Sequence, residues 1–313
     1  MEEERRAWLL FLSSNNYYLY MLLGIYKNLL DVKTKYPIYC GVTQEVNFET
    51  RNILKTVGLN LIDLDTQIIS ADVIRAVKDN NSEHYFKAFT KLTLLDTQVE
   101  KMFDKIVYID TDVEILENID EVFDYPHMAA IEDVAPSSNK IKTPYTLGCS
   151  KFCSGMFVWD FKNNQGKGHE ILLKLPELDK KITWHDQNVL NYFYQDWREK
   201  PELHIPPEYG IMNFKANTDK LPANIKIKAI HYTSRIKTDW PFRHQKILKE
   251  YNWKFGNLFF KEWVQHIADS IKYFNEKYSL RIPSLHPENI VLLTKEEERE
   301  IKADGRRGCY LYF

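Results

Sequence analysis

The chain has 313 residues, of which 44% are hydrophobic and 27% are charged, and its net charge is −2. This composition is typical of a globular protein, and the length allows one large domain or two smaller ones. It excludes the strongly basic surface of a protein whose main partner is nucleic acid. It also contains no apolar run of about 18 residues, so a membrane span is not expected.

The cysteines and the N-terminal segment bear on the cell compartment. Cys149 and Cys153 have the spacing of half a zinc site, but no second pair follows to supply four ligands. Four scattered cysteines are typical of a reducing compartment. The charged start of the chain and the short apolar run after it predict a first strand and no signal peptide, so we expect a cytoplasmic protein.

The first 110 residues alternate between apolar strands and helical segments. Residues 64–83 are polar and predict no regular element. Strand and helix alternation is typical of a parallel sheet with helices on both faces, so the predicted fold class is α/β. The predicted strands are 8–12, 37–40, 59–63 and 106–109, and the predicted helices are 17–30, 47–57 and 85–103.

The pattern changes after residue 112. Residues 133–147 are rich in Pro, Ser, Asn and Lys and predict a long loop, which in a compact domain is usually functional or disordered. No strand is predicted after residue 232, and residues 258–278 predict a long amphipathic helix. The other predicted elements are a helix-turn segment at 115–123, strands at 129–131, 155–161 and 225–232, and helices at 168–175 and 186–194.

Two carboxylates stand directly after the fourth predicted strand. Asp110 and Asp112 are separated only by Thr111, and both would point to one face if the chain stays extended there. Carboxylate oxygens at the carboxyl end of a strand suit Mg²⁺ or Mn²⁺, which usually also take phosphate oxygens of a substrate. Taken alone, the pair is equally consistent with a solvated turn that caps the next helix.

Further motifs follow in a fixed order along the chain. Together they resemble glycogenin and the related sugar-nucleotide transferases of glycosyltransferase family eight, over roughly residues 8–245. The motifs are an opening strand with Ser13, Asn15 and Tyr18; Thr90-Lys91-Leu92; Asp110-Thr111-Asp112; Phe152-Cys153-Ser154-Gly155; Asp186-Gln187-Asn188-Val-Leu-Asn191; and His231-Tyr-Thr-Ser234-Arg-Ile-Lys237 before Trp240.

The resemblance implies a fold and a reaction. The fold would be GT-A, a Rossmann-like mixed sheet flanked by helices, with a catalytic domain at 1–250 and a helical extension at 251–313 packed on or beside it. The reaction would move a hexose or pentose from a UDP-sugar to a hydroxyl of a glycan, lipid-linked or small polyol acceptor with retained configuration. The helix at 258–278 could cover the sheet, form the face of a homodimer or hold an acceptor.

The resemblance also implies roles for individual residues. Asp110, Asp112 and His231 would hold Mn²⁺ or Mg²⁺, Asp186 would orient sugar and acceptor, and Gln187 would lie near the anomeric carbon. The predicted donor-binding residues are Ser13, Asn15, Tyr18, Lys91, Thr111, Cys153, Ser154, Gly155, Ser234 and Lys237.

Residue chemistry alone leaves alternatives open for several of these positions. A lone histidine at a strand end is commonly a core residue, and a lysine such as Lys91 or Lys237 is commonly a solvated surface residue. Ser13 and Asn15 could simply cap the helix that follows them.

The sequence departs from the family pattern at three places. Cys153 replaces an Asn and Ser234 replaces a Gly, and the segment between Lys237 and Trp240 is one residue longer. In the region where glycogenin carries its acceptor tyrosine, residues 208–228 contain only Tyr209. We therefore predict an enzyme with a separate acceptor, and keep a self-glycosylating priming protein as the alternative.

Overall fold

The computed structural model describes residues 4–14, 18–80, 89–133, 151–178, 185–212, 226–232, 253–255, 258–285, 287 and 290–292. Three predicted donor-binding residues lie outside the described residues. So do the predicted loop from residue 134 onward and the start of the helix predicted at 85–103. The three residues are Asn15, Ser234 and Lys237.

The described residues form an α/β fold with twelve strands and seven α-helices. The strands are β1 (Arg6–Leu12), β2 (Ile38–Val42), β3 (Asn60–Asp63), β4 (Lys105–Ile109), β5 (Val113–Ile115), β6 (Ala130–Glu132), β7 (Phe152–Asp160), β8 (His204–Ile205), β9 (Ile211–Met212), β10 (Ala229–His231), β11 (Trp253–Phe255) and β12 (Ile290–Leu292). The helices are α1 (Tyr18–Asp31), α2 (Phe48–Thr56), α3 (Ala71–Asn80), α4 (Thr97–Glu100), α5 (Lys167–Lys174), α6 (Asp186–Phe193) and α7 (Leu258–Tyr278).

The main sheet has seven strands in the order β3-β2-β1-β4-β7-β6-β8. Its first four strands pair in parallel, as the strand and helix alternation predicted. β7 then runs antiparallel to both β4 and β6, so the sheet is mixed. A second sheet, β5-β10-β9, continues from the end of β4 through the turn at residues 110–112.

Alternate residues of β1 feed two hydrophobic cores, one on each face of the main sheet. Leu10 and Leu12 pack in a core that also contains Leu22 of α1 and Ile267 of α7. Leu9 belongs to the opposite core, together with the buried side chains of α5 and α6. The long amphipathic helix predicted at 258–278 is therefore confirmed, and its apolar face is buried against the first core.

Two predictions in the first half of the chain were wrong. Residues 64–83 contain a 3₁₀ turn and α3, which starts after Ser70, whose hydroxyl accepts a hydrogen bond from the Val73 amide at 3.3 Å. The helix predicted at 85–103 is a 3₁₀ segment, Thr90–Leu95, and a separate α4, because Asp96 between them has an extended backbone. All six residues of Thr90–Leu95 are buried, so an amphipathic period does not describe them.

Other predictions, for the residues after 112, were also wrong in part. The helix-turn segment predicted at 115–123 is confirmed only at its end, because residues 113–115 pair as β5 and a 3₁₀ helix begins at Asp120. β7 begins at Phe152, three residues earlier than predicted, so Cys153 and Ser154 belong to the strand. β10 occupies only the end of the strand predicted at 225–232, and it is not the last strand. The later β11 and β12 are three residues each and pair only with one another, too short for a periodic pattern.

Among the described residues, no helix has both the length and the apolar character that a membrane crossing requires.

The α5 helix rests directly on the backbone of the segment that precedes α4. A Cβ on Gly168 would lie 1.8 Å from the carbonyl oxygen of Leu95, whereas a Cβ on Gly24 in α1 would meet only the Ile267 side chain, at 2.7 Å. A backbone carbonyl in a packed core cannot move aside as a side chain can.

We therefore expect Gly168→Ala to lower the free energy of unfolding by about 2–3 kcal/mol through overpacking. Gly24→Ala is the matched comparison and should cost less, because its added Cβ meets a side chain and not a backbone carbonyl, and both variants gain the roughly 1 kcal/mol in helix propensity. Urea denaturation of both variants measures the difference. Equal stabilities would contradict the close approach at Gly168.

Candidate active site

Three potential metal ligands converge beyond the carboxyl end of β4. Asp110 and Asp112 lie in the turn between β4 and β5, and His231 is the last residue of β10. The His231 Nε2 atom lies 3.3 Å from Asp112 Oδ1 and 3.9 Å from Asp110 Oδ2. One ligand atom from each of the three residues lies within 4.8 Å of the other two.

The two carboxylates come together through a turn and not along an extended strand, which was the condition set by the sequence analysis. The chain is not extended between them, because the Val113 amide donates to the Asp110 carbonyl at 3.2 Å and so closes a tight turn. The turn leads into β5, which pairs antiparallel with β10. This pairing places His231 opposite Val113. The Tyr232 amide also donates to the Asp112 carbonyl at 2.9 Å, and this bond fixes the histidine beside the carboxylates.

The three side chains fit a hard divalent cation. Ligand atoms that share one Mg²⁺ at about 2.1 Å lie about 3–4 Å apart, close to the separations found here. Two carboxylates and one imidazole would leave further positions for substrate oxygens. Asp112 and His231 are buried and Asp110 is half-buried, so the site opens to one side.

A buried lysine lies beside these residues. Lys91, in the 3₁₀ segment Thr90–Leu95, places its Nζ atom 3.2 Å from Asp110 Oδ1 and 2.8 Å from Asp186 Oδ2. Burial opposes the charge of Lys91, but the carboxylates of Asp110 and Asp186 raise its pKa above the ordinary value. The ammonium group is therefore charged, and it links the candidate metal turn to the start of α6.

The first residues of α6 bind the first residues of β7. The Ser154 hydroxyl donates to Asp186 Oδ2 at 2.6 Å, and the Ser154 amide donates to Gln187 Oε1 at 3.2 Å. Lys91 also donates to the Ser154 carbonyl at 3.2 Å. Asn191, one helical turn further on, pairs with the amide and carbonyl of Phe152 and so fixes α6 against β7.

Two residues of this network were missed by the sequence analysis. The Tyr108 hydroxyl donates to Asp110 Oδ1, and the Lys91 ammonium lies 4.8 Å from the centre of the Tyr108 ring. The two-residue period of a strand places Tyr108 on the face of Asp110, and that signal could have found it. Asp133 accepts a hydrogen bond from Gln187 Nε2 at 2.8 Å, and no pattern in the sequence indicated this contact.

His231 is enclosed by the start of β7. A Cβ on Gly155 would lie 2.3 Å from the Cε1 atom of His231, so only glycine leaves room for the ring. The Sγ atom of Cys153 lies 3.6 Å from His231 Nδ1. Burial alone would lower the pKa of His231, but Cys153 and Asp110 raise it above its ordinary value.

The other predicted donor-binding residues that the structure describes, Ser13, Tyr18 and Thr111, lie along the same edge of the sheet. Ser13 directly follows β1, which pairs in parallel with β4, and its carbonyl accepts from the Thr43 hydroxyl at 3.0 Å. Tyr18 begins α1 and is half-buried, and Thr111 is buried between the two aspartates. Among the described residues, the neighbouring Ser14 hydroxyl is buried without a hydrogen-bond partner.

The family model described as Glycosyl transferase family 8 matches residues 9–240. The chain belongs to this family. It is 24% identical to galactinol synthase 5 of Arabidopsis thaliana over 266 residues, which cover 77% of this chain and 75% of that protein. It is 27% identical to galactinol synthase 1 of Solanum lycopersicum over 249 residues, or 75% and 74% of the two chains.

A solved glycosyltransferase shares the fold. The glycosyltransferase GlyE of Streptococcus pneumoniae TIGR4 superposes with a TM-score of 0.50 at 16% identity, covering 89% of this chain and 66% of that one. At that identity the similarity concerns the fold alone. The mixed sheet with flanking helices is thus the GT-A fold of a family 8 sugar transferase.

In this family 8 chain, α7 reaches the strands that carry the candidate metal ligands. Glu114, in β5, is buried and accepts hydrogen bonds from the Tyr232 hydroxyl at 2.8 Å and from His266 Nδ1 of α7. The Tyr232 ring also stacks on Trp263 of α7, with ring centres 4.2 Å apart. These contacts hold β5 and the end of β10, the two segments next to the candidate ligands, against α7.

The contacts of Lys91 predict that the free energy of unfolding falls when either Lys91 or its partner Asp186 loses its charge. Lys91→Met leaves two carboxylates close together without their cation, so we expect a loss of about 3 kcal/mol. Asp186→Asn should cost less, because Lys91 keeps Asp110. The double variant should cost at least about 1 kcal/mol less than the sum of the two, as expected for contacting residues. Urea denaturation of all four proteins completes the cycle, and additive costs would contradict a direct ion pair.

The contact between His266 and Glu114 predicts a pH dependence. The hydrogen bond to Glu114 raises the pKa of His266 above its ordinary value of 6.5, although burial opposes this. A raised pKa in the folded state stabilises the protein fully below pH 6.5, and the contribution disappears as the pH rises through the raised value. Wild type should therefore lose its stability advantage over His266→Gln as the pH rises from below 6.5 through the raised pKa of His266. A constant difference in melting temperature would contradict it.

Proposed function

We propose that this protein is a metal-dependent retaining glycosyltransferase that moves a hexose or pentose from a UDP-sugar to the hydroxyl group of a separate acceptor. The observation that carries the proposal is the convergence of two carboxylates and an imidazole beside the buried ammonium group of Lys91. Lys91 joins Asp110 of that cluster to Asp186 of α6. Membership in family 8 supports sugar transfer, and the cluster supports a nucleotide diphosphate as the leaving group.

The reaction breaks the bond between the anomeric carbon and the diphosphate, and forms a bond from that carbon to the acceptor oxygen. The acceptor proton leaves with the departing phosphate if attack occurs on the same face, which retains the configuration. A divalent ion held by Asp110, Asp112 and His231 would stabilise the negative charge that develops on the departing UDP.

The residues of the Lys91 network would prepare the sugar site. Lys91 and the Ser154 hydroxyl both donate to the Asp186 carboxylate, which favours a role in orienting sugar hydroxyls over a role as a mobile nucleophile. Gln187 is fixed through both ends of its amide, by the Ser154 amide and by Asp133. Such preorganised polar groups do not need to reorganise during the reaction.

The donor nucleotide would extend along the edge of the sheet toward β1. Ser13, Asn15 and Tyr18 would contact base and ribose, and the buried Ser14 hydroxyl marks a polar atom there that the described residues leave without a partner. Lys237 would hold the diphosphate, with Ser234 close by. We keep the expectation that the loop at 133–147 covers the bound donor, and Asp133 at its start already contacts Gln187.

A separate acceptor is favoured over self-glycosylation. Tyr209, the tyrosine in the region where glycogenin carries its acceptor, is buried. Its hydroxyl donates to Glu121 at 2.9 Å and accepts from the Lys228 ammonium at 3.1 Å. Several relatives are named galactinol synthases, after a compound that they make, and this supports a free product rather than a modified protein.

The proposal is tested by release of UDP from a panel of donors: UDP-glucose, UDP-galactose, UDP-xylose and UDP-N-acetylglucosamine, with GDP-mannose as the nucleotide control. Each is incubated with Mn²⁺ or with EDTA. We expect UDP from one UDP-sugar only with metal. Intact mass of the protein after the same incubation should be unchanged, since hexose increments would instead indicate self-glycosylation. Absence of binding to every donor would overturn the proposal.

The role of the carboxylates predicts the behaviour of one variant. Asp112→Asn should lower metal-dependent turnover by about 100-fold or more, because loss of several kcal/mol of charge stabilisation has that effect. The fold should be retained, since the carboxylate faces the ligand cluster. Asp72→Asn is the control, because Asp72 is an exposed residue of α3. An Asp112→Asn protein with full activity in EDTA would exclude the metal role.

A further inference from the structure

Cys153 is buried in β7, and its side chain faces a candidate metal ligand. Its sulfur lies 3.6 Å from His231 Nδ1, and both residues are more than nine-tenths buried. The Gly155 amide donates to the same sulfur at 3.4 Å. The Cys153 sulfur thus contacts both the His231 ring and a backbone amide of its own strand, β7.

The two nitrogens of His231 have different surroundings. Nε2 faces Asp112 and Asp110, at 3.3 and 3.9 Å, whereas Nδ1 faces the Cys153 sulfur. A neutral histidine that binds a metal ion through Nε2 carries its proton on Nδ1, and that proton requires an acceptor. Among the described residues, the Cys153 sulfur is the acceptor that the structure places there.

The position of the sulfur separates it from the metal cluster itself. A thiol is a soft ligand, but Cys153 lies on the side of the imidazole ring opposite to the carboxylates. The ligand atoms that come together belong to Asp110, Asp112 and His231. Gly155 supports the arrangement, because a side chain there would displace the ring from the position in which both nitrogens meet their neighbours.

We propose that Cys153 is a positioning residue: its sulfur accepts the Nδ1–H of His231 and holds Nε2 toward the Asp110 and Asp112 carboxylates. The inference rests on the proposed metal-dependent function. It assigns to Cys153 a role toward the metal ligand in place of a contact with the donor sugar. The tautomer of His231 and the affinity for the metal ion are then set partly by this sulfur.

Metal affinity tests the proposal without activity. Mn²⁺ binding, measured by electron paramagnetic resonance of the free ion, should weaken about 10-fold in Cys153→Ala, the lower range for loss of a partner of a metal-binding histidine. Cys153→Asn should stay within about 3-fold of wild type, because its amide oxygen can accept the same proton. Cys40→Ala is the matched control, since Cys40 is a buried free thiol of β2.

A second measurement reads the histidine directly. Protein with ¹⁵N-labelled histidine and no metal, at alkaline pH, should show the Nδ1–H tautomer for the signal that disappears in His231→Asn. Cys153→Ala should convert that signal to a mixture of tautomers, and Cys40→Ala should leave it unchanged. This readout remains informative even where a variant is less stable than wild type, provided that its spectrum is that of a folded protein.

The outcomes separate this inference from the proposed function. If wild type binds Mn²⁺ and Asp112→Asn abolishes binding, but Cys153→Ala matches wild type in affinity and tautomer, only the role of Cys153 is overturned. That role is also overturned if Cys153→Ala raises KM for the donor with unchanged Mn²⁺ affinity, because the residue then acts on the sugar. If wild type binds no Mn²⁺, both the proposed function and this inference fail.

Discussion

The arrangement of the site depends on one buried cation. Removing an ammonium group from water is costly, and Lys91 is more than nine-tenths buried, so it needs close anionic partners. Those partners come from different elements, Asp110 after β4 and Asp186 at the start of α6, with the Ser154 carbonyl of β7 between them. Lys91 therefore joins the turn after β4, the start of α6 and the start of β7, and these residues would form the proposed sugar site.

The change of strand direction in the main sheet explains why distant motifs meet. β7 runs antiparallel to β4, so the start of β7 lies beside the end of β4, and the Asp110 amide donates to the Gly155 carbonyl at 2.7 Å. In a wholly parallel sheet, the start of β7 would lie at the opposite edge. The Cys153-Ser154-Gly155 motif reaches the carboxylates only because of this reversal. Asp110 and Gly155, more than 40 residues apart in the sequence, are thus joined by a hydrogen bond.

Much of this was readable from the sequence, and the failures have physical causes. The alternation of β1, α1, β2 and α2 was predicted because apolar segments are separated by helix-capping and helix-ending residues such as Ser13 and Gly58. The break at Asp96 was missed because Thr90–Leu95 is buried on every side and shows no period. The ordered motifs predicted Asp110, His231 and Lys91 as site residues, but Tyr108 stands before the motif and was not among the predicted site residues. Its hydrogen bond to Asp110 follows from the two-residue period of a strand, a signal that the sequence analysis did not use.

The position of His231 depends on residues outside the turn at residues 110–112. His231 can face Asp112 only if β10 pairs with β5, a strand of three residues that offers few ladder hydrogen bonds of its own. The buried Glu114 adds hydrogen bonds to those of the short ladder. Its carboxylate accepts from Tyr232, which follows β10, and from His266 of α7. A carboxylate would be costly in that position without both partners. The α7 helix, beyond the residues matched by the family model, therefore contributes to the geometry of the ligands, and a deletion of α7 should be understood as a change to the site itself.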